Sequence, residues 1–147
     1  MSMDRIYTIG HNKKSLRKFI ELLRQAQVTK VIDVRLNNTS QLVGFAKRED
    51  LSFILELTGI GYEHLPQLAP TKELRKKFKQ DKNWDEYKEA YLQLLDERDV
   101  LTLLDQSFTA NQRVCLLCSE DKPDQCHRRL LAEYIQVRCP NVEVCHF

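Results

Sequence analysis

The sequence predicts an α/β fold, a three-layer sandwich in which helices cover both faces of a mostly parallel sheet of about five strands. Short β-branched segments alternate along the chain with segments of helical periodicity, which is typical of sheets built from βαβ units. Residues 114–118 are continuously apolar, as expected of a strand that is covered on both faces. No internal repeat or low-complexity linker divides the 147 residues, so we expect residues 1–147 to form a single α/β domain.

The first half of the chain predicts a regular alternation of strands and helices. A short β-branched strand over residues 5–9 leads into an amphipathic helix for which Ser15 is the N-cap. A second strand is expected over residues 30–34, and the helix after it runs over about residues 49–59, where Gly59 ends it. Residues 62–65 form the third predicted strand.

The second half is less regular. Residues 66–83 contain two prolines and a basic run, which indicates a loop or lid with one short helix. Aromatic and leucine residues at helical spacing over residues 84–108 predict either one long helix or two helices with a break near Asp99. After the apolar strand, a final amphipathic helix is expected around residues 130–135, and residues 142–145 form the last predicted strand.

Composition limits the class of protein. The net charge is +2, from 23 basic and 21 acidic residues, so no overall field attracts nucleic acid and any anion site must be local. The sequence has no signal-peptide pattern and no long apolar run, so we expect a cytoplasmic protein without membrane contact. An odd number of cysteines without framework spacing fits reduced thiols in the cytosol: Cys115, Cys118, Cys126, Cys139 and Cys145.

Reactive residues follow the predicted strands, at the point where each strand ends. In parallel sheets ligands bind beyond the carboxyl ends of the strands, so we expect these side chains to converge on one edge. Each has an ordinary structural explanation too, such as a capping histidine, an aspartate–arginine ion pair or a packed cysteine. Agreement among four strand ends favours a site that contains Gly10, His11, Asp33, Arg35, His64, Cys118, Glu120, Cys126, His127 and Arg128.

The start of the last helix is the strongest candidate for anion binding. Asp124 is expected to be its N-cap, which places Cys126 and His127 in the first turn, where free N–H groups favour a thiolate or a bound anion. We expect a phosphate-like anion between this turn, Arg35 and Arg128. The competing interpretation is that a structural ion pair with Asp33 or Glu120 occupies Arg35.

Spacing argues against two kinds of thiol chemistry and leaves a third open. Cys115 and Cys118 have dithiol spacing, but residues three apart on a strand point to opposite faces, so their sulfurs should not meet. Neither Cys118 nor Cys126 has the arginine six positions later that a phosphatase loop needs. Cys118, Cys126 and His127 could converge with His11 or His64 on zinc, although adjacent ligands are uncommon in structural zinc sites, and we assign no metal ligand.

Five segments resemble one protein family: residues 7–11, 33–35, 61–66, 117–120 and 126–128 look like domain-of-unknown-function family 488. The match spans almost the whole chain. The family consists of small bacterial and archaeal α/β proteins without an agreed activity, so the resemblance implies the fold and not a reaction.

The chain departs from the family pattern in two loops. Asn37 and Asn38 stand where a proline is usual, and Ala69 and Pro70 replace a Gly-Gly pair. Both changes leave the charged and thiol positions intact. They affect the shape of loops near the predicted site, and hence the size of the substrate.

The leading hypothesis is an enzyme that acts on an anionic substrate, such as a nucleotide, a nucleic acid or another phosphate-bearing molecule. Arg35 and Arg128 would bind the charge with Gly10 and His64 beside them. Proton carriers would come from Asp33, Glu120 or His11, and Cys118 or Cys126, with His127 adjacent, could act as a nucleophile. The alternatives are a non-catalytic module that binds nucleic acid or a nucleotide through the same arginines and residues 72–79, and a small Cys/His metal-binding protein. The sequence indicates no particular cofactor or oligomeric state.

Overall fold

A single parallel sheet forms the centre of the molecule. The computed structural model describes residues 5–39, 44–107 and 112–147. The predicted end of a helix at Phe108 lies outside these residues. The strands are β1 (Arg5–Gly10), β2 (Lys30–Asp33), β3 (Gly61–His64), β4 (Val114–Cys118) and β5 (Glu143–His146).

The strand order is β3-β2-β4-β1-β5, and every pairing is parallel. This confirms the predicted α/β fold and its five strands. Strand β4 lies at the centre of the sheet, between β1 and β2. After β1 the chain continues to β2 and β3 on one side of the sheet, and after β4 it continues to β5 on the other side. In such sheets a crevice forms at the carboxyl ends of the strands where the direction reverses. There Gly10 is paired with Cys118, and Asp33 with Leu117 and His64.

Helices cover both faces of the sheet. The helices are α1 (Leu16–Gln25), α2 (Arg48–Leu57), α3 (Lys72–Asp81), α4 (Trp84–Glu97), α5 (Val100–Ser107) and α6 (His127–Arg138), with short 3-10 helices at Gly44–Ala46 and Pro66–Leu68. One face of the sheet packs against α1 and α2 through residues such as Phe19 and Leu55, and the other packs against α4, α5 and α6 through residues such as Tyr91 and Leu131. None of the described helices is long and apolar enough to cross a membrane.

Several predicted element boundaries are confirmed. The Ser15 hydroxyl accepts a hydrogen bond from the N–H of Lys18 and caps α1. Gly59, with φ of 76°, follows the end of α2. The helical pattern after Trp84 divides into α4 and α5, separated at Asp99, whose φ of 50° interrupts the helix.

Two predictions need correction. The predicted loop or lid over residues 66–83 contains a full ten-residue helix, α3, which Thr71 caps through the N–H of Leu74. Asp124 is not the N-cap of α6: the helix begins at His127 and Cys126 occupies the cap position. The segment from Pro123 to Cys126 closes a turn through the N–H of Cys126 and the carbonyl of Pro123, so the helix starts later than the sequence suggested.

Candidate functional site

A cavity of about 350 Å³ opens beyond the carboxyl ends of β2 and β4. The segment after β2, one face of α3, the start of α4 and the segment between β4 and α6 form its walls. The lining residues are Arg35, Asn37, Arg75, Phe78, Lys79, Tyr87, Cys118, Ser119, Glu120, Gln125, Cys126 and His127.

Half of the predicted site residues line this cavity. The structure brings together Arg35, Cys118, Glu120, Cys126 and His127. It places the rest around the same end of the sheet without bringing them to the cavity wall: Gly10, His11, Asp33, His64 and Arg128.

Cys118 and His127 form a thiol–imidazole pair at the cavity. The Sγ atom of Cys118, at the end of β4, lies 3.6 Å from Nδ1 of His127. The other ring nitrogen, Nε2, lies 2.8 Å from the carbonyl oxygen of Val34, which can only accept a hydrogen bond. Nε2 therefore carries a proton. In the neutral imidazole, Nδ1 faces the Cys118 thiol with its lone pair, and in the imidazolium Nδ1 carries a second proton. This is the arrangement of a nucleophile beside an oriented base.

The thiol of Cys126 is in direct contact with the thiol of Cys118. The two Sγ atoms are 3.1 Å apart, and the Cys126 thiol donates to Cys118. That hydrogen bond is the largest cause that holds the pKa of Cys118 well below its ordinary value. Burial acts in the opposite direction, and the charge of His127 and the backbone N–H of Glu120 add to the lowering. The negative charge therefore belongs to Cys118, because the pKa of Cys126 is raised by donating to it and by burial.

The imidazole of His127 responds in the complementary way. Burial alone would lower its pKa, but the charge of Cys118 and the hydrogen bond to it outweigh burial, and the pKa lies above its ordinary value. A Cys118 thiolate and a His127 imidazolium therefore stabilise one another. Such a pair supplies both a nucleophile and a proton donor.

Asp33 is a structural partner of Arg35. It is fully buried and accepts from the backbone N–H, Nε and Nη2 of Arg35, from Asn38 and from the Tyr62 hydroxyl. Burial alone would raise the pKa of Asp33, but Arg35 and these hydrogen bonds hold it below its ordinary value. An acceptor occupied on both oxygens is not placed to move protons, so the geometry does not support the predicted role of Asp33 as a proton carrier. The expected competing ion pair with Arg35 is present.

Three cationic side chains nevertheless face the cavity. Arg75 and Lys79 lie four residues apart on one face of α3, and neither forms an ion pair within the described parts of the chain. Arg35 contributes Nη1, which is buried without a hydrogen-bond partner among the described residues. Against these, the cavity wall carries one carboxylate, Glu120. The wall therefore offers donors for a bound anion.

Arg128 does not join Arg35 at the cavity. It is fully buried, and its guanidinium donates to the Thr8 hydroxyl and to the carbonyl oxygens of Asp121 and Phe147. The predicted phosphate site between Arg35 and Arg128 is thus not formed. Arg128 instead ties the start of α6 to β1 and to the last residue of the chain.

The remaining predicted residues are packed at the strand ends. Gly10 lies against the backbone of Glu120, where a Cβ atom would come within 1.5 Å of the carbonyl oxygen. His64 Nε2 is 2.7 Å from the backbone oxygen of Arg35 and so fixes the segment after β2. His11 is buried, and both its ring nitrogens lack a hydrogen-bond partner in the part of the chain that the structure describes.

Within the described residues, one group of possible metal ligands is found: Cys118, Cys126 and His127, whose ligand atoms lie within 4.8 Å of one another. At a tetrahedral zinc ion with Zn–S bonds of about 2.3 Å, two thiolate sulfurs stand about 3.8 Å apart. The observed 3.1 Å is shorter than this spacing, and the contact is a hydrogen bond from the Cys126 thiol to Cys118. The sulfurs as placed therefore fit a hydrogen bond better than a metal.

Some functional features were not found by sequence reasoning. The contact between Cys118 and Cys126 depends on how residues 119–125 fold back, which no periodicity encodes. The basic run on α3 was identified, but only Arg75 and Lys79 of it face the cavity, while Lys77 pairs with Glu86. Helical spacing places Arg75 and Lys79 on one face, but it does the same for Lys72 and Lys76, so spacing alone does not show which pair faces the cavity.

The fold and the site together define an α/β protein with a cysteine–histidine pair at the carboxyl edge of a parallel sheet. Residues 15–135 match the family model described as Domain of unknown function DUF488, and the chain belongs to that family. The resemblance seen in the sequence motifs is thereby confirmed. No curated protein and no solved structure matches the chain. The family description names no reaction, so the function must be argued from the site.

Proposed function

We propose that the protein is an enzyme that acts on an anionic substrate, with Cys118 as a covalent nucleophile and His127 as its acid–base partner. The observation that carries the proposal is the contact between Cys118 Sγ and His127 Nδ1 at the cavity wall, with the ring held by the Val34 carbonyl. A nucleophile, a base in reach of it and a third group that orients the base are the three parts that such catalysis requires.

The proposed reaction has two steps. The Cys118 thiolate attacks an electrophilic atom of the substrate, a bond from sulfur to that atom forms, and the bond to the leaving group breaks as His127 gives it the Nδ1 proton. In the second step, Nδ1 accepts a proton from water, the hydroxide attacks the same atom, and the bond to sulfur breaks to restore the thiolate.

The walls of the cavity favour an anion. Arg75, Lys79 and the free Nη1 of Arg35 supply donors around a volume of about 350 Å³, which suits a small molecule or one end of a larger one. A nucleotide, a nucleic-acid terminus or another phosphate-bearing molecule meets this requirement. The thiolate lies on the same wall, so binding through the charge would bring the reacting atom to sulfur.

Alkylation tests the nucleophile without knowledge of the substrate. The purified chain would be treated with iodoacetamide over a pH series, and the rate at each cysteine would be followed by peptide mass spectrometry. We expect Cys118 to react faster than the other thiols and to stay reactive at pH values well below about 8.5, the usual thiol pKa. His127→Gln should move the midpoint of its profile upward, since the imidazolium is lost.

The matched control is His146→Gln, which alters a histidine on β5 that does not line the cavity. Identical Cys118 profiles in the wild-type protein and His127→Gln, both at the ordinary thiol pKa, would overturn the proposal. The competing class is a non-catalytic module that binds nucleic acid or a nucleotide through the same cations, and it predicts binding with an unreactive Cys118. A zinc or iron content near one atom per chain in protein purified without a histidine tag would favour the metal-binding alternative instead.

A further inference from the structure

Two of the five thiols form a close pair. Cys118 and Cys126 have their sulfurs 3.1 Å apart, and each side chain is at least nine-tenths buried. Cys115 lies on the opposite face of the sheet, in the core beneath α1 and α2. Cys139 and Cys145 are partly exposed near the end of the chain, and all five are free thiols.

The pair is close to disulfide geometry. A disulfide requires an S–S distance of about 2.05 Å, so the two sulfurs need to approach by only about 1 Å. The chain between them, residues 119–125, contains neither helix nor strand, and Cys126 sits at the N-cap in extended conformation before α6 begins. A small adjustment of this segment can close the distance without moving β4.

We propose that Cys118 and Cys126 form a redox-active dithiol, in which a hydroperoxide oxidises Cys118 to a sulfenic acid and Cys126 converts it to a disulfide. The proposal rests on the reactive Cys118 of the proposed function and adds a second role for the site. It assigns Cys126 as the resolving thiol.

The reaction needs only side chains of the protein and one external oxidant, the hydroperoxide. The Cys118 thiolate attacks the distal oxygen of the hydroperoxide, an S–O bond forms, the O–O bond breaks, and His127 protonates the leaving oxygen. The Cys126 sulfur then attacks the Cys118 sulfur, an S–S bond forms, the S–O bond breaks, and water leaves with the Cys126 proton. A dithiol reductant reverses the oxidation by thiol–disulfide exchange.

Oxidation of Cys118 itself activates Cys126. While Cys118 is a thiolate, the hydrogen bond that Cys126 donates to it keeps the Cys126 proton in place. Conversion of Cys118 to a neutral sulfenic acid removes that acceptor. The backbone N–H and the positive charge of Arg128 remain to stabilise a Cys126 thiolate. The second thiol therefore becomes nucleophilic only after the first has been oxidised, and disulfide formation protects Cys118 from sulfinic acid.

The test treats the purified full chain with hydrogen peroxide and maps the products by mass spectrometry without reduction. We expect loss of two hydrogen atoms per chain, a peptide pair joined through Cys118 and Cys126, and full reversal by dithiothreitol. Cys126→Ser, which keeps a donor beside Cys118, should instead accumulate a Cys118 sulfenic acid that dimedone traps, followed by several-fold more sulfinic acid than the wild-type protein. Cys145→Ser is the control and should behave as the wild type.

Failure of this inference is distinguishable from failure of the proposed function. Rapid alkylation of Cys118 combined with equal sulfinic acid formation in the wild-type protein and Cys126→Ser would overturn the resolving role and leave the nucleophile intact. An ordinary, His127-independent alkylation profile combined with the Cys118–Cys126 disulfide under peroxide would overturn the proposed function and support the dithiol. A disulfide that joins any other pair of cysteines overturns the dithiol assignment.

Discussion

Asp33 holds the guanidinium of Arg35 beside the cavity through both of its carboxylate oxygens. Asn38 and Tyr62 complete the hydrogen bonds of that carboxylate, so the buried Asp33 is fully satisfied. These additional hydrogen bonds offset part of the desolvation cost of burying the ion pair. The consequence for the site is a rigid arginine that leaves one nitrogen, Nη1, for a ligand.

His11 is the residue whose environment should be most visible in the pH dependence of stability. Burial, and secondly the positive charge of Arg35, lower its pKa to about 4. The unfolded chain has a histidine pKa of about 6.5, so between these values it binds a proton that the folded chain does not, and acid destabilises the fold. We expect His11 to account for a loss of about 2 kcal/mol in the free energy of unfolding from about pH 7 to pH 5.

Urea unfolding of the wild-type protein and His11→Gln at several pH values measures this contribution. The free energy of unfolding of the variant should fall less steeply than that of the wild type over that interval. Parallel curves for the wild-type protein and His11→Gln would show that His11 is not held neutral.

The end of β1 and the segment after β4 fit closely against one another. Gly10 is paired with Cys118, and the N–H groups of His11 and Asn12 donate to the carbonyls of Cys118 and Ser119. This pairing continues past the ends of both strands. It places the backbone N–H of Glu120 where it stabilises the Cys118 thiolate.

Gly10→Ala tests this fit. The added Cβ would come within 1.5 Å of the Glu120 carbonyl oxygen, so the segment after β4 must move away. We expect a loss of about 1–3 kcal/mol in the free energy of unfolding, which is the usual cost of overpacking. Cys118 should also be alkylated more slowly at neutral pH. Gly44→Ala is the control, because a Cβ there meets nothing within 4 Å, and equal stability of the two variants would contradict the proposed fit.

The elements could be predicted from sequence to different degrees. The strands and α1 follow from β-branched runs, helical spacing and the Ser15 cap, all of which are local signals. Helix α3 was underestimated because Pro66, Pro70 and the basic run obscure the two apolar residues, Leu74 and Phe78, that pack it on the core. The periodicity of apolar residues is hardest to recognise in a helix whose buried face contains only a few of them.

The site was predictable in its residue types and not in its contacts. Strand ends drew attention to Cys118 and His127, because a parallel sheet aligns its carboxyl ends, and both residues line the cavity. The local sequence does not show where the Arg128 side chain points, because its guanidinium donates to the Thr8 hydroxyl, 120 residues away, as well as to the carbonyls of Asp121 and Phe147. Convergence of Cys118, Cys126 and His127 was considered as a zinc site, but the direct thiol contact depends on the path of residues 119–125, which the local sequence does not show.

At the scale of the whole molecule, nearly balanced charge limits how an anion can be attracted. The chain carries 23 basic and 21 acidic residues, so the net charge of +2 produces little long-range attraction. Attraction must come from the local cations at the cavity, chiefly Arg75 and Lys79. The affinity for an anion should therefore decrease only slightly as the salt concentration rises. This dependence should come from Arg75 and Lys79.

Titration of a nucleoside diphosphate and of a short single-stranded oligonucleotide at several salt concentrations tests whether these cations bind an anion. With two or three cations in contact, the logarithm of the association constant of the oligonucleotide should fall with the logarithm of salt concentration with a slope of about −2 or shallower. Arg75→Gln combined with Lys79→Gln should weaken the binding of both ligands and flatten the slope, because the counterion release at these contacts is lost.

Lys72→Gln combined with Lys76→Gln removes the same charge from the same helix away from the cavity wall, and should leave the affinity nearly unchanged. A slope of about −5 or steeper would require many more phosphate contacts than the cavity offers, and would point to an extended nucleic-acid surface elsewhere on the molecule. Equal effects of the two double substitutions would show that the ligand senses general charge and does not occupy the cavity beside Cys118.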